Sequence, residues 1–195
     1  MYGYVKVGSA VPKLRVADCV YNKEEILKLV EAAAAKQVRV LSFPELSVTG
    51  YTCADLFFQA PLLHAAEQAI QEIAEATEAL NIFLLIGAPI AVDNQMFNCA
   101  VALYKGKLLG IVPKTHIPNY SEFYEERWFA SADDLLTEEI TYAGQNVPIG
   151  ADLIFAAADF PALKIGVEIC EDLWVPIPPS SYLSLYGATL LLNLS

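Results

Sequence analysis

Three polar residues with complementary chemistry each follow a buried, apolar stretch of this sequence. Glu45 ends "VRVLSFPE", Lys114 ends "KLLGIVPK" and Cys170 ends "LKIGVEIC". A carboxylate can take the proton of a thiol, an ammonium group can stabilise developing negative charge, and a thiolate can attack an electrophilic carbon. Together the three residues predict a nucleophilic cysteine with a general base and a cationic partner.

The immediate neighbours of Cys170 are acidic: Glu168 precedes it, and Glu171 and Asp172 follow it. Nearby negative charge raises the pKa of a thiol and weakens it as a nucleophile at neutral pH. Either Cys170 is inert packing, or a positive charge from elsewhere in the chain compensates. Lys114 is the candidate for that charge.

Each of the three residues also has a plain structural interpretation when it is taken alone. Glu45 follows a proline and could cap a turn, Lys114 could end a strand in solvent, and Cys170 could be a small buried hydrophobe. Three strands that end in three complementary groups are less expected by chance than any one of them. The combination therefore favours a catalytic site.

Apolar periodicity predicts strands that alternate with helices and hairpins. One helix is expected to begin with Asn22 as N-cap and Glu25 in capping-box position, and a second to span 62–80. Strands are predicted at 4–10, 13–19, 38–43 and 82–90, and two more in a hairpin that turns at 105–106. Further strands are predicted at "LIFAA", "LKIGVEIC" and "ATLLLNLS". The segment 115–150 is predicted to be irregular, and a short helix is expected after Pro178. This pattern is typical of a layered α/β fold, in which ligands bind at the carboxyl ends of strands.

Composition bounds the class of protein. The chain has 195 residues, of which 55% are hydrophobic, enough for one domain over residues 1–195. The formal net charge of −11 argues against nucleic acid and anionic membranes as partners, because both require Lys and Arg to neutralise phosphates. Neither a membrane-spanning apolar run nor a signal peptide is recognisable. We therefore predict a cytoplasmic location.

The metal-ligating residue types are few and scattered. The sequence holds four cysteines and two histidines, and their spacing does not match a zinc site. We therefore predict no metal site. The expected role of Cys19, Cys53 and Cys99 is buried packing.

Three segments of the chain resemble a known family. In order and spacing, "FPELSVTGY", "PKTHIPNYSEFYEERWF" and "GVEICEDLW" resemble the signature blocks of the nitrilase superfamily of carbon–nitrogen hydrolases. Within that superfamily, "CADLFF", "NYSEFYEERWF" and "VEICEDLWVPIPPS" are most similar to the N-terminal glutaminase domains of glutamine-dependent NAD synthetases. The resemblance covers nearly the whole chain and implies a nitrilase-like α-β-β-α sandwich.

The resemblance also implies roles for the three strand-end residues. Glu45 matches the general base, Lys114 matches the lysine that stabilises the tetrahedral intermediate, and Cys170 matches the nucleophile. Together they would hydrolyse the side-chain amide of L-glutamine through a cysteine thioester.

Further site residues follow from the same resemblance. Tyr120 falls where the subgroup contacts glutamine, and Phe123 and Glu171 fall where it lines the glutamine pocket. An accessory glutamate is expected in the block after the lysine, which contains Glu122, Glu125 and Glu126. The selected candidate is Glu126.

The sequence departs from the family in extent. Nitrilase domains are longer, so the fold is expected to be truncated at its C-terminus. The ATP- and Mg-dependent domain that amidates deamido-NAD in the synthetases carries a Ser-Gly-Gly-x-Asp-Ser loop, which these 195 residues lack. ATP, Mg and deamido-NAD are thus expected to bind only a separate domain, and no cofactor is expected for the domain in this sequence. The family resemblance also suggests a homo-oligomer. The alternatives are a stand-alone amidase or carbamoylase, and a non-catalytic binding or assembly module.

Overall fold

Two β-sheets pack face to face in the computed structural model, which describes residues 3–195; Met1 and Tyr2 of the N-terminal segment lie outside the described residues. The helices are α1 (Cys19–Ala35), α2 (Ala60–Ala76) and α3 (Pro179–Leu185). The strands are β1 (Val7–Ser9), β2 (Val40–Ser42), β3 (Phe83–Val92), β4 (Gln95–Tyr104), β5 (Lys107–Pro113), β6 (Glu139–Tyr142), β7 (Gln145–Pro148), β8 (Ile154–Ala156), β9 (Lys164–Ile169) and β10 (Leu190–Leu194).

The first sheet has the order β1-β2-β3-β4-β5, and the second has the order β10-β9-β8. Strands β1, β2 and β3 run parallel, whereas β3, β4 and β5 form an antiparallel meander. In the second sheet, β9 is parallel to β10 and antiparallel to β8. Strands β6 and β7 form a separate hairpin.

Alternation along β3 shows how the layers are filled. Phe83 and Leu85 belong to the cluster between the two sheets, whereas Leu84 and Ile86 belong to the larger cluster beneath α1 and α2. Because both faces are covered, the strand reads as a continuous apolar run instead of an alternating one. Helix α3 covers the outer face of the second sheet, where Leu183 lies against Gly166. The predicted α-β-β-α sandwich is thereby confirmed.

The start of α1 differs from the sequence prediction. Asp18, and not Asn22, caps the helix by accepting a hydrogen bond from the backbone N–H of Tyr21 at 3.0 Å. Asn22 lies buried in the helix, where its side chain bonds the backbone of Arg15 and Val48. Those bonds hold the preceding segment as a turn, so the strand predicted at 13–19 is wrong.

The segment 115–150 was expected to be irregular, but it contains the β6–β7 hairpin. Its strands are four residues each, and their exposed positions interrupt any apolar run. Within residues 3–195, no helix is both long and apolar enough to cross a membrane.

Candidate active site

The structure brings Glu45, Lys114 and Cys170 together. Each lies just beyond the carboxyl end of a strand: Glu45 after β2, Lys114 after β5 and Cys170 after β9. Lys114 Nζ donates to Glu45 Oε1 at 2.7 Å, and both side chains are almost fully buried. The half-buried thiol of Cys170 lies close enough for the Glu45 carboxylate and the Lys114 charge to act on its pKa. The strand ends of both sheets thus bring a carboxylate, an ammonium group and a thiol to one place.

The turn that carries Glu45 lies unusually close to β3. A Cβ on Gly87 would come within 2.5 Å of the Pro44 carbonyl oxygen and 2.8 Å of the Glu45 carbonyl carbon. Only glycine permits this approach. The Gly87 carbonyl in turn accepts a hydrogen bond from the Val48 N–H at 3.1 Å, which secures the turn to the sheet.

Lys114 is held between two carboxylates. Besides Glu45, its Nζ donates to both oxygens of Glu125, at 2.9 and 3.1 Å. Tyr51 Oη donates to Glu125 at 2.6 Å, and Asn98 Nδ2 donates to Glu45 at 2.5 Å. A buried ion pair is tolerable only when its remaining hydrogen-bonding capacity is satisfied, and these donors provide much of that.

The arrangement shifts the pKa values of all three groups. Burial alone would lower the pKa of the Lys114 ammonium, but Glu45 and Glu125 outweigh it, so that its pKa lies above the ordinary 10.5. Burial raises the pKa of Glu45 above 4.5; Lys114 opposes this shift, and the charge of Glu125 adds to it. One ammonium cannot fully compensate two carboxylates, so the surroundings favour the charged form of Lys114 and make Glu45 easier to protonate than a carboxylate in water.

The Cys170 thiol has a raised pKa, chiefly because of burial and then because of the Glu45 charge; Ser195 and Lys114 oppose the shift. A raised pKa favours the protonated thiol, and the Glu45 carboxylate beside it is a group that can accept a proton. Cys170 itself adopts a left-handed backbone conformation with φ of 47° at the start of a 3₁₀ turn, Cys170–Trp174. The sharp turn carries the sulfur out of the strand and toward the other two groups.

The acids beside Cys170 in the sequence face other partners. Glu168 accepts from the Ser180 N–H at 3.0 Å, at the start of α3. Glu171 accepts from Tyr120 Oη, and Asp172 accepts from backbone N–H groups. Each of these three acids near Cys170 is thus accounted for by its own hydrogen bond.

The expected accessory glutamate requires a correction. Glu126, the residue selected from the sequence, is exposed and accepts from Asn119 Nδ2 at 2.8 Å. Glu125 is instead the buried residue that contacts Lys114. The two acids are adjacent in a short 3₁₀ turn, Glu125–Arg127, so only one can face inward. Glu122 is exposed as well.

The residues expected to bind substrate lie together at the outer side of the site. Tyr120 Oη donates to the two oxygens of Glu171 at 3.0 and 2.9 Å. The ring of Phe123 packs edge-on against Tyr120, with centroids 6.0 Å apart. Tyr120 and Glu171 also line a cleft of about 1000 Å³, together with His116 and Trp128. Glu45, Lys114 and Cys170 do not line that cleft, although their neighbours Thr115 and Glu171 do.

Sequence reasoning did not identify Asn98, Tyr51 or Asp172. Asn98 had a usable signal, because it is a polar residue inside the apolar run "FNCAVAL", and a buried amide needs a partner. Tyr51 had none, because it lies in a loop 74 residues from its partner Glu125.

Comparison with known proteins agrees with the fold. A family model described as carbon-nitrogen hydrolase matches residues 6–195. A glutamine-dependent NAD(+) synthetase of Mycobacterium leprae is 40% identical over 193 residues, which are 99% of this chain and 28% of that protein. A relative of the same name from Thermotoga maritima is 33% identical and is covered over 27% of its length. The chain thus spans less than a third of these curated relatives.

Solved structures show the same relationship. The crystal structure of a glutamine-dependent NAD(+) synthetase from Cytophaga hutchinsonii matches with a TM-score of 0.82 and 30% identity, covering 97% of this chain and 30% of that one. An amidase from Nesterenkonia sp. matches with a TM-score of 0.72 over 97% of this chain and 64% of its own, but at 17% identity the likeness concerns the fold alone. Because the family model covers nearly all of the sequence, the chain belongs to the carbon-nitrogen hydrolase family.

Proposed function

We propose that this chain is the glutaminase part of a glutamine-dependent NAD synthetase, in which it hydrolyses the side-chain amide of L-glutamine to glutamate and ammonia. The observation that carries the proposal is the buried Lys114–Glu45 pair, 2.7 Å apart, beside the Cys170 thiol. The names of the relatives and the pairing of Tyr120 with Glu171 support glutamine as the amide.

The first half of the reaction forms a thioester. The Cys170 sulfur attacks the amide carbon of glutamine while its proton passes to Glu45. Lys114 donates a hydrogen bond to the resulting oxyanion, where a preorganised cation is most effective. The carbon–nitrogen bond then breaks, and Glu45 returns the proton to the departing nitrogen, which leaves as ammonia.

The second half regenerates the enzyme. Water attacks the thioester carbon, and Glu45 takes a proton from it. The carbon–sulfur bond breaks, glutamate leaves, and the proton returns to Cys170. The raised pKa of Glu45 suits this alternation between base and acid, because the carboxyl must hold and release a proton in each half.

Glutamine recognition falls to the outer part of the site in this proposal. Glu171 has the charge to bind the α-ammonium group, and Tyr120 orients Glu171 through its hydroxyl. Phe123 packs against Tyr120 and covers its ring.

The ammonia is proposed to amidate deamido-NAD in a separate ATP- and Mg-dependent domain; amide hydrolysis itself uses the side chains named above and no cofactor. We further propose that the protein works as a homo-oligomer in the cytoplasm. The family resemblance supports the oligomer, and the four free cysteines suit a reducing compartment.

An electrophilic glutamine analogue tests the proposal directly. Incubation of the intact protein should add one analogue mass to Cys170, as located by peptide mass spectrometry, and glutamine should protect against labelling. Cys170→Ala should abolish the labelling, whereas Cys99→Ala, which alters a fully buried thiol, should retain it.

Two results would contradict the proposal. Hydrolysis of small aliphatic amides or N-carbamoyl compounds, without hydrolysis of glutamine, would favour a stand-alone amidase or carbamoylase. Absence of labelling in a folded protein would favour a non-catalytic module.

A further inference from the structure

Asp172 is a buried carboxylate that the proposed chemistry does not use. Only 1% of its surface is exposed, and it lies two residues beyond the nucleophile in the 3₁₀ turn. Its Oδ1 accepts from the backbone N–H groups of His116 at 2.7 Å and Thr115 at 3.1 Å. Its Oδ2 accepts from the Ile169 N–H at 3.0 Å. One side chain therefore bonds three backbone donors: that of Ile169, three residues earlier, and those of Thr115 and His116, more than 50 residues earlier.

These two segments are the ones that carry reacting groups. Thr115 directly follows Lys114, and Ile169 directly precedes Cys170. The backbone of Lys114 itself bonds Asn98, in the first sheet, and Ala132. The bonds of Asp172 connect that loop to the nucleophile turn at the end of the second sheet. Asp172 is thus a polar link between the two sheets at the level of the site.

Because the Asp172 carboxylate is buried, it depends on these hydrogen bonds. Desolvation raises the pKa of Asp172 above 3.8. The hydrogen bonds from the backbone N–H groups of His116 and Ile169 oppose that shift, and so do the charges of the His116 and Lys114 side chains. A buried carboxylate that lost these donors would carry the full cost of desolvation, so the donors and the acid hold each other in place. Hydrogen bonds that backbone N–H groups donate to a charged acceptor are also among the stronger ones in proteins.

We propose that Asp172 is a positioning residue that sets the distance between Lys114 and Cys170. It touches neither the substrate nor the reacting atoms, and acts by fixing the Thr115–His116 backbone against Ile169. Its contribution to amide turnover rests on the proposed glutaminase function, whereas its effect on the reactivity of Cys170 does not.

The isosteric variant Asp172→Asn isolates this role in the intact protein. The amide oxygen can still accept, but the NH₂ group faces a backbone donor, so one bond becomes a repulsive contact. We expect kcat for glutamine to fall about 10- to 100-fold, as for reacting groups displaced by about 1 Å, with KM changed less than about threefold. Asp152→Asn, which alters an exposed acid in the turn before β8, is the control and should leave both constants unchanged.

The pH dependence of Cys170 alkylation by iodoacetamide provides a readout that does not depend on turnover. Peptide mass spectrometry separates Cys170 from the three other thiols, all of which are buried. If Asp172 positions Lys114, its loss weakens the lysine's effect on the thiol, and the midpoint of alkylation moves to higher pH. If Asp172 acted only through its own charge, neutralisation would favour the thiolate and move the midpoint to lower pH.

Each outcome decides the proposal. A fall in kcat with an upward midpoint supports it. An unchanged midpoint with only a lower melting temperature, or a downward midpoint, overturns it. Should Asp172→Asn not fold, Asp172→Ser, which keeps an acceptor in a smaller side chain, gives the same comparison. If the wild-type protein does not hydrolyse glutamine, the glutaminase function fails while the alkylation profile still tests Asp172.

Discussion

Replacing Lys114 with methionine removes the cation that pairs with the buried carboxylates of Glu45 and Glu125. Methionine retains an apolar stem of similar length but neither the charge nor the donors. The formal charge of the three groups changes from −1 to −2. Breaking a buried ion pair in this way typically costs about 3–5 kcal/mol of stability. That is a large part of the roughly 5–15 kcal/mol by which domains are stable, so Lys114→Met should melt at a markedly lower temperature.

The catalytic loss is separate from this destabilisation. Removal of one oxyanion donor costs about 3 kcal/mol, which corresponds to roughly 150-fold in kcat. A second variant separates the two effects: Lys114→Met combined with Glu125→Gln restores the cluster charge to −1. We expect the double variant to recover more than half of the lost stability in thermal melts, because the remaining unpaired acid is Glu45 alone.

Glutamine turnover, measured as glutamate released by the folded double variant, is the deciding assay. We expect it to stay at least 100-fold below wild type, because no group replaces the Lys114 ammonium. Lys107→Met, at the exposed start of the same strand β5, is the control and should change neither stability nor turnover. Recovery of turnover together with stability would show that Lys114 only balances charge, and the reasoning would be refuted.

Three further outcomes are expected. The rising limb of kcat/KM should have its midpoint above pH 4.5, because burial raises the pKa of Glu45 and the base is lost as pH falls through that raised value; a midpoint at or below 4.5 would contradict its role as base. Gly87→Ala should lower the free energy of unfolding by about 1–3 kcal/mol in denaturant melts and impair turnover, because its Cβ would collide with the turn that carries Glu45. Gly8→Ala is the control, since its Cβ would meet only side-chain atoms and its effect should be small. Equal effects of the two variants would contradict the close approach of the turn to Gly87. Tyr120→Phe should raise KM for glutamine more than it lowers kcat in steady-state kinetics, because it removes the hydrogen bond that orients Glu171. A larger effect on kcat than on KM would contradict a role in substrate positioning.

Much of the site could be predicted because strand ends are readable from sequence. The apolar runs before Glu45, Lys114 and Cys170 predict buried strands, and strands that run in the same direction end at a common edge of the sheet. Chemistry of complementary type at three such ends therefore predicted their proximity, as the 2.7 Å Lys114–Glu45 contact shows.

The remaining features depend on contacts that leave no periodic trace. Glu125 and Glu126 are adjacent acids in a segment without regular repeats, so nothing local indicates which one faces Lys114. Asp172 bonds donors up to 57 residues away in the chain, and in the sequence it is merely one acid among three near Cys170. The cap of α1 was misplaced for a related reason: Asn22 has the right residue type, but its side chain serves the backbone of distant Val48.

The left-handed conformation of Cys170 has a consequence for how this protein can change over generations. A residue with a side chain pays about 1–2 kcal/mol to hold that conformation, whereas glycine adopts it freely. A Cys170→Gly change would therefore relieve this backbone strain while removing the thiol on which the proposed function depends. Under the proposed glutaminase function, a duplicated copy that no longer needed amide hydrolysis would gain stability from glycine at this position, so glycine there is the change expected where the scaffold is kept and the reaction is lost.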